Sequence, residues 1–223
     1  PTESELFIVE GDSAAGPAKQ ARDSRVQAIL PIRGKIINVQ KVTENRALQN
    51  EEISALIKAI GTGIKTQFNG DESRYDKIIF LTDADVDGAH IRTLLLTFFF
   101  KFMPGLITGG KVWISEPPLY RLKASSGITY LKDDEALIKF KKENKNKKFD
   151  TSRFKGLGEM NAGELWETAM NPETRTLIKV TLADAKGAMA KASDMFEILM
   201  GNDVSKRKQF IEKNAKDVRF LDV

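Results

Sequence analysis

Residues 77–88 read KIIFLTDADVDG, an apolar run that leads directly into three aspartates at alternate positions. The apolar part, residues 77–82, has the length and the β-branched composition of a buried strand. Residues 89–102 follow as a strongly apolar stretch that predicts a helix. A buried strand followed at once by a helix is typical of a parallel sheet covered by helices, so this stretch decides the fold class.

The beginning of the chain shows the same succession of strand and helix. Residues 6–9 (LFIV) predict a buried strand that ends at Glu10, and residues 14–22 have helical composition. Residues 27–32 predict another strand, and apolar positions recur with helical spacing over residues 50–60. We therefore predict an α/β fold with a Rossmann-like parallel sheet flanked by helices.

The pattern becomes less regular after about residue 110, where short strands alternate with a glycine-punctuated loop and several helices. The loop covers residues 153–160, and a long amphipathic helix is predicted over residues 183–200. We expect residues 4–119 to form one domain and residues 120–223 to form a C-terminal α+β tail.

Carboxylates follow both early strands. Glu10 ends the first strand, and Asp83, Asp85 and Asp87 follow the second. Ligands of open parallel sheets bind at the carboxyl ends of the strands, and alternate side chains of extended backbone point the same way. Since clustered carboxylates repel one another unless a cation lies between them, we predict a Mg²⁺ site here.

The composition excludes several other chemistries. The chain has no cysteine and one histidine, so it cannot build disulfides, thiolate zinc sites, iron–sulfur clusters or multi-histidine metal centres. Its net charge of +4 is compatible with a polyanionic partner. The most apolar stretch, residues 94–103, is too short for a membrane span, and no signal peptide is visible. We therefore expect a cytoplasmic protein without a membrane partner.

The aspartates have two other interpretations. The pattern D-x-D-x-D-G begins a calcium-binding EF-hand loop, but position twelve of that loop would be Leu94 where a glutamate is required. The EF-hand is therefore rejected. The aspartates could also be turn formers and a helix N-cap, although three at alternate positions are more than a cap needs.

Four motifs in order resemble a known family. They are EGDS at residues 10–13, PIRGK at 31–35, TDADVDG at 82–88 and RFKGLGEM at 153–160. The chain resembles the Toprim domain and C-terminal tail of the B subunit of bacterial type IIA topoisomerases over nearly its whole length. This resemblance implies a Toprim-type sheet in residues 4–119.

The resemblance also implies roles for single residues. Glu10 is expected to be the catalytic glutamate, and the metal ligands are expected to be Glu10, Asp83, Asp85 and Asp87. The implied DNA contacts are Lys35, Asn38, His90 and Lys155, and the implied contacts of quinolone-type drugs are Asp12, Arg33 and Glu52.

The implied function is the Mg²⁺-binding half of a DNA cleavage and religation centre, an isomerase activity. In the family, Mn²⁺ or Ca²⁺ can substitute for Mg²⁺, and a tyrosine of the A subunit attacks double-stranded DNA within an A2B2 heterotetramer. ATP acts through a separate N-terminal domain that resembles nothing in this chain. We expect none of Tyr75, Tyr120 and Tyr130 to be the nucleophile, because none is placed beside the carboxylates.

The sequence is compatible with more than one function. The family includes gyrase and topoisomerase IV, and Val86 together with residues 34–39 favours the gyrase branch. A stand-alone Toprim nuclease or primase would use the same carboxylates, although the tail from Arg153 onward argues against it. A structural DNA-binding module is disfavoured because carboxylates near DNA would repel phosphate.

Overall fold

The computed structural model of the chain describes residues 3–145, 147–182 and 187–217. The strands are β1 (Glu5–Glu10), β2 (Gln27–Ile32), β3 (Lys77–Leu81), β4 (Val112–Ser115), β5 (Tyr120–Ala124), β6 (Gly127–Leu131), β7 (Asp150–Arg153) and β8 (Leu177–Lys179). The α-helices are α1 (Gly11–Ala21), α2 (Glu44–Leu48), α3 (Glu51–Ile60), α4 (Val86–Phe102), α5 (Pro104–Thr108), α6 (Asp134–Glu143), α7 (Ala162–Leu165), α8 (Ala188–Met200) and α9 (Val204–Asn214).

The main sheet has five strands in the order β2-β1-β3-β4-β8. Strands β2, β1, β3 and β4 are parallel, and β8 adds to β4 in the antiparallel direction. Val9 of β1 pairs with Leu81 of β3, so the residues after both strands leave the sheet at the same edge. The predicted α/β fold with a parallel sheet flanked by helices is confirmed.

Side chains of the central strands are buried on both faces of the sheet. Leu6 and Ile8 of β1 pack with residues of α3 and α4, whereas Phe7 and Val9 pack with residues of α1 and the tail. This division follows from the two-residue period of a strand. It explains why β1 and β3 are continuously apolar, since neither of their faces meets water. Pro31 is tolerated in β2 because that strand lies at the edge of the sheet.

The acidic run does not continue as extended backbone through Asp87, as we predicted. Helix α4 begins at Val86, and Asp85 is its N-cap, with its Oδ1 accepting a 2.7 Å hydrogen bond from the Gly88 N–H. Asp87 lies in the first helical turn. The expected alternation of the three aspartates along a strand is therefore wrong, because an aspartate that can cap a helix competes with extension of the strand.

Gly88 allows α4 to begin so close to the preceding loop. A Cβ at Gly88 would overlap the backbone carbonyl of Asp83, so any other residue would push the helix away from that aspartate. Gly88 is therefore required for close packing between α4 and the carboxyl end of β3.

The tail returns to the main sheet after forming a sheet of its own. Strands β6, β5 and β7 make a three-stranded antiparallel sheet, and β8 then joins β4. The helix predicted over residues 183–200 is α8, and residues 183–186 lie outside the described residues, as do residues 218–223 of the predicted tail. In the parts of the chain that are described, no helix is both long and apolar enough to cross a membrane.

Candidate metal and nucleic-acid site

Glu10 and Asp83 come together at the carboxyl ends of two adjacent parallel strands. Glu10 is the last residue of β1, and its Oε2 accepts a hydrogen bond from the Asp83 backbone N–H at 3.2 Å. Asp83 Oδ1 in turn accepts a 2.8 Å hydrogen bond from the backbone N–H of Leu157, in the tail. We name Glu10, Asp83, Asp85 and Asp87 the acidic edge.

The inner two carboxylates of the acidic edge, Glu10 and Asp83, are held in surroundings that disfavour their charged forms. Burial raises the pKa of Glu10, and the charges of Asp83, Asp85 and Asp87 raise it further. Burial also raises the pKa of Asp83, with added repulsion from Asp85 and Glu159. A nearby cation would offset both the burial and the like-charge repulsion of each carboxylate. The pair of Glu10 and Asp83 therefore suits a positively charged ligand.

The donor set fits Mg²⁺. Glu10 and Asp83 offer hard carboxylate oxygens, which Mg²⁺ prefers over nitrogen or sulfur. Within the described residues, no group of three or more histidine, aspartate or glutamate side chains already converges as a metal site. Mg²⁺ commonly takes only one or two carboxylates and completes its shell with water and phosphate oxygens, so two converging carboxylates suffice.

The outer two aspartates have other contacts. Asp85 Oδ1 is engaged by the helix cap described above. Asp87 pairs with Lys35 at 2.6 Å, and that lysine lowers the pKa of the Asp87 carboxyl. Both side chains of this pair are about half exposed, 49% for Lys35 and 62% for Asp87, so a phosphate can compete for the lysine.

The other three expected DNA contacts lie on different parts of the chain. His90 is exposed on α4 and Lys155 is exposed in the tail loop. Asn38 is engaged within the protein, since its Nδ2 donates to the Met200 carbonyl at 2.9 Å and its Oδ1 accepts from the Gln40 N–H at 3.0 Å. The contacts of these residues with DNA stay a prediction.

Only two of the three expected drug contacts meet. Arg33 and Asp12 lie 3.7 Å apart, both strongly exposed. Glu52 lies in the first turn of α3, which packs on the opposite face of the sheet from α1, the helix that carries Asp12.

Comparison with known proteins matches two regions of the chain to described families. The Toprim domain matches residues 5–117, and the carboxyl terminus of the DNA gyrase B subunit matches residues 146–212. The chain belongs to the Toprim family. The resemblance stated from the four motifs is confirmed by these two matches and by whole-chain similarity to named relatives.

Several relatives carry the name of the DNA gyrase B subunit. The protein of Thermotoga maritima is 55% identical over 219 residues, covering 98% of this chain and 34% of the relative. That of Thermus thermophilus is 54% identical over 220 residues, covering 97% of this chain and 34% of the relative. That of Mycoplasma genitalium is 53% identical over 223 residues, covering 100% of this chain and 34% of the relative. The chain thus spans about a third of the length of these relatives.

Two charged residues of this Toprim site were missed by sequence reasoning. Arg92 is half-buried on α4, where burial lowers its pKa against the opposing charges of Glu116, Glu10 and Asp85. Glu159, in the tail loop, is close enough to raise the pKa of Asp83. Arg92 follows Gly88 of the acidic motif by four residues, so both lie on one face of α4. This spacing could have indicated that Arg92 is near the site.

The raised pKa of Glu10 predicts how the stability of the metal-free protein depends on pH. The folded state binds more protons than the unfolded state between the ordinary glutamate pKa, near 4.5, and the raised value, so stability falls as pH rises through this window. In EDTA, Glu10→Gln should therefore melt at a higher temperature than the wild type at pH 7 and should lose this advantage near pH 4. Calorimetric melting at both values checks this, and a lower melting temperature for the variant at pH 7 would contradict it.

Proposed function

We propose that this chain is the Mg²⁺-binding half of the DNA cleavage and religation centre of a type IIA topoisomerase, of the gyrase type. The observation that carries the proposal is the pair of Glu10 and Asp83, hydrogen-bonded at adjacent strand ends beside a tail loop with an exposed lysine. The names of the relatives support the gyrase branch. The activity would be ATP-dependent passage of one DNA duplex through another.

The chain's own residues would bind the DNA and handle protons. Lys35, His90 and Lys155 would contact phosphates around the acidic edge, which fixes the position of the duplex without reading its bases. Glu10 lies hydrogen-bonded beside Asp83 at the strand ends and would exchange a proton with the 3′-hydroxyl. Asp83 and Glu10 would hold Mg²⁺, with Asp85 and Asp87 nearby. When bound, Mg²⁺ supplies charge stabilisation for the scissile phosphate and the departing 3′-oxygen.

The nucleophile would come from the A subunit. Tyr75 precedes β3 and so lies at the end of the strand opposite the carboxylates. Tyr120 is buried, and its hydroxyl donates to Asp134. Tyr130 donates to Glu167 at 3.3 Å, and burial, with the charge of Glu167, raises its pKa to about 12, which disfavours the phenolate. Each tyrosine thus lacks the placement or the ionisation that attack on phosphorus needs.

The remaining parts of the proposal concern the whole protein. Residues 4–119 would act as the metal-binding domain, and residues 120–223 would act as the tail. ATP would bind to a separate N-terminal domain, the partners would be double-stranded DNA and the A subunit in an A2B2 complex, and the complex would work in the cytoplasm. Mn²⁺ or Ca²⁺ would substitute for Mg²⁺ at the same carboxylates.

A reconstituted cleavage reaction tests this function. The full-length protein mixed with a gyrase A subunit should form a covalent DNA adduct with Mg²⁺, lose it in EDTA, and carry the adduct on the A subunit. Negative supercoiling by that mixture, and not by one with a topoisomerase IV partner, would distinguish the two branches. Nicking of DNA by the chain alone with Mg²⁺ would instead favour the stand-alone nuclease.

Lys155 provides a prediction on DNA binding. Lys155→Ala should weaken binding of duplex DNA by the chain and reduce the slope of log affinity against log salt by about 1, because one phosphate contact is lost. Lys77→Ala is the matched control, since Lys77 begins β3 and lies at the opposite end from the carboxylates. Fluorescence anisotropy over a salt series measures both slopes, and equal slopes for the two variants would contradict the assignment.

A further inference from the structure

The tail loop at residues 153–160 contacts the carboxylate end of the main sheet. The Leu157 N–H donates to Asp83 Oδ1 at 2.8 Å, between residues 74 positions apart in sequence. A carboxylate has two oxygens that can each accept, so this bond leaves the second oxygen of Asp83 available for another ligand. Among the described residues, no hydrogen bond is made to Asp83 Oδ2.

Gly156 lies directly against that second oxygen. A Cβ added at Gly156 would stand 2.8 Å from Asp83 Oδ2 and 3.2 Å from its Cγ. The backbone of Gly156 is extended, with φ at −165°, so its conformation is open to any residue. Gly156 is therefore needed because it has no side chain to fill the space beside Asp83. Its backbone conformation does not require a glycine.

The loop is held in place from several sides. The side chains of Phe154, Leu157 and Met160 are buried in the same core as α1. The Phe154 N–H donates to the Leu119 carbonyl at 2.9 Å, at the entrance of the loop. Glu159 Oε2 accepts from the Lys155 N–H at 2.8 Å and closes the loop on itself. The Leu157 N–H is thus presented to Asp83 by a packed segment.

We propose that this tail loop is a positioning element of the metal site, in which the Leu157 N–H fixes one oxygen of Asp83 while Gly156 leaves the other oxygen free for a divalent cation. This inference rests on the proposed function, since it assumes that Asp83 binds a cation. Groups that orient a metal ligand typically change metal affinity by about 10- to 100-fold when they are lost. The tail would then contribute to the metal site as well as to DNA binding.

Titration calorimetry of Mn²⁺ into the 223-residue chain tests the proposal. Gly156→Ala should bind Mn²⁺ at least about tenfold more weakly than the wild type, because the new methyl group crowds Asp83 Oδ2. Gly158→Ala is the matched control in the same loop, since a Cβ there would meet Ser13 at an ordinary 3.5 Å. That control should stay within about twofold of the wild type.

A second pair of variants isolates the hydrogen bond. Leu157 is the first residue of a short 3₁₀ turn, a position where proline is accommodated but donates no N–H. Leu157→Pro and Leu157→Ala both lose the buried leucine side chain, and only the proline variant also loses the donor. Leu157→Pro should therefore bind Mn²⁺ at least about tenfold more weakly than Leu157→Ala.

The outcomes separate this inference from the proposed function. Wild-type affinity in Gly156→Ala, with a melting temperature in EDTA close to that of the wild type, would overturn the positioning role while leaving the metal site intact. If Gly156→Ala does not fold, equal affinities of the two Leu157 variants would overturn it. Absence of Mn²⁺ binding by the folded wild type would instead overturn the proposed metal site, and this inference with it.

Discussion

Asp83→Ala should abolish Mg²⁺-dependent DNA cleavage by the reconstituted complex while most of the DNA affinity remains. The substitution removes one of the two carboxylates that meet at adjacent strand ends. Charge stabilisation by a bound cation is worth several kcal/mol, so we expect cleavage to fall by about 10³-fold. DNA affinity depends mainly on lysine and arginine contacts with phosphates, and these remain in the variant.

The opposite end of the same strand provides the control for this change. Asp76 directly precedes β3 and pairs with Lys77 at 2.9 Å, whereas Asp83 follows the strand. Asp76→Ala makes the same kind of substitution, aspartate to alanine, at the end of β3 away from the acidic edge. It should leave cleavage unchanged. Quantified covalent adduct on denaturing gels measures both variants. Cleavage at the wild-type level by Asp83→Ala would rule out its role as a metal ligand.

Breaking the buried ion pair between Glu5 and Arg175 should have the largest effect on stability. Both side chains are nearly inaccessible, with exposed fractions of 5% for Glu5 and 6% for Arg175. Arg175 donates to Glu5 Oε2 at 2.6 Å and to the Met170 carbonyl at 3.0 Å, and Gln27 donates to the same two groups. Arg175→Ala would leave the glutamate buried without its counter-charge.

Loss of one partner from a buried pair costs about 3–5 kcal/mol. For a chain of this size that cost corresponds to a fall in melting temperature of about 10 °C. Arg25→Ala is the control, because Arg25 forms an ion pair with Asp23 at the surface, where it is 85% exposed, and its loss should change the melting temperature little. Similar melting temperatures for Arg175→Ala and Arg25→Ala would show that the tail is not fixed to β1 in this way.

The strands and their ends were predictable because both depend on local patterns. The apolar runs before Glu10 and Asp83 are long enough to show burial on both faces, and parallel strands bring their carboxyl ends to one edge. The meeting of Glu10 with Asp83 follows from these two facts. The predicted start of α4 was wrong because an aspartate after a strand is compatible both with continued extension and with a helix cap. The cap prevails once Gly88 lets the helix pack against the Asp83 backbone.

The contribution of the tail could not be predicted, because it depends on contacts between distant residues. Arg175 meets Glu5 across 170 positions, and no local pattern marks either residue as part of a buried pair. The bond from Leu157 to Asp83 uses a backbone N–H, which every residue except proline has. The family resemblance implied a DNA contact at Lys155 in the loop around Gly156, whereas the contact of this loop with a carboxylate became visible only in the folded chain.

Anomalous diffraction from crystals of the chain grown with Mn²⁺ would locate the cation without relying on activity, and so decides whether Glu10 and Asp83 form a metal site. We expect a single strong anomalous peak between the two carboxylates, within bonding distance of one oxygen from each, and loss of that peak in Asp83→Ala. A well-ordered acidic edge without a peak at saturating Mn²⁺, or a peak bound elsewhere and unaffected by Asp83→Ala, would contradict the assignment.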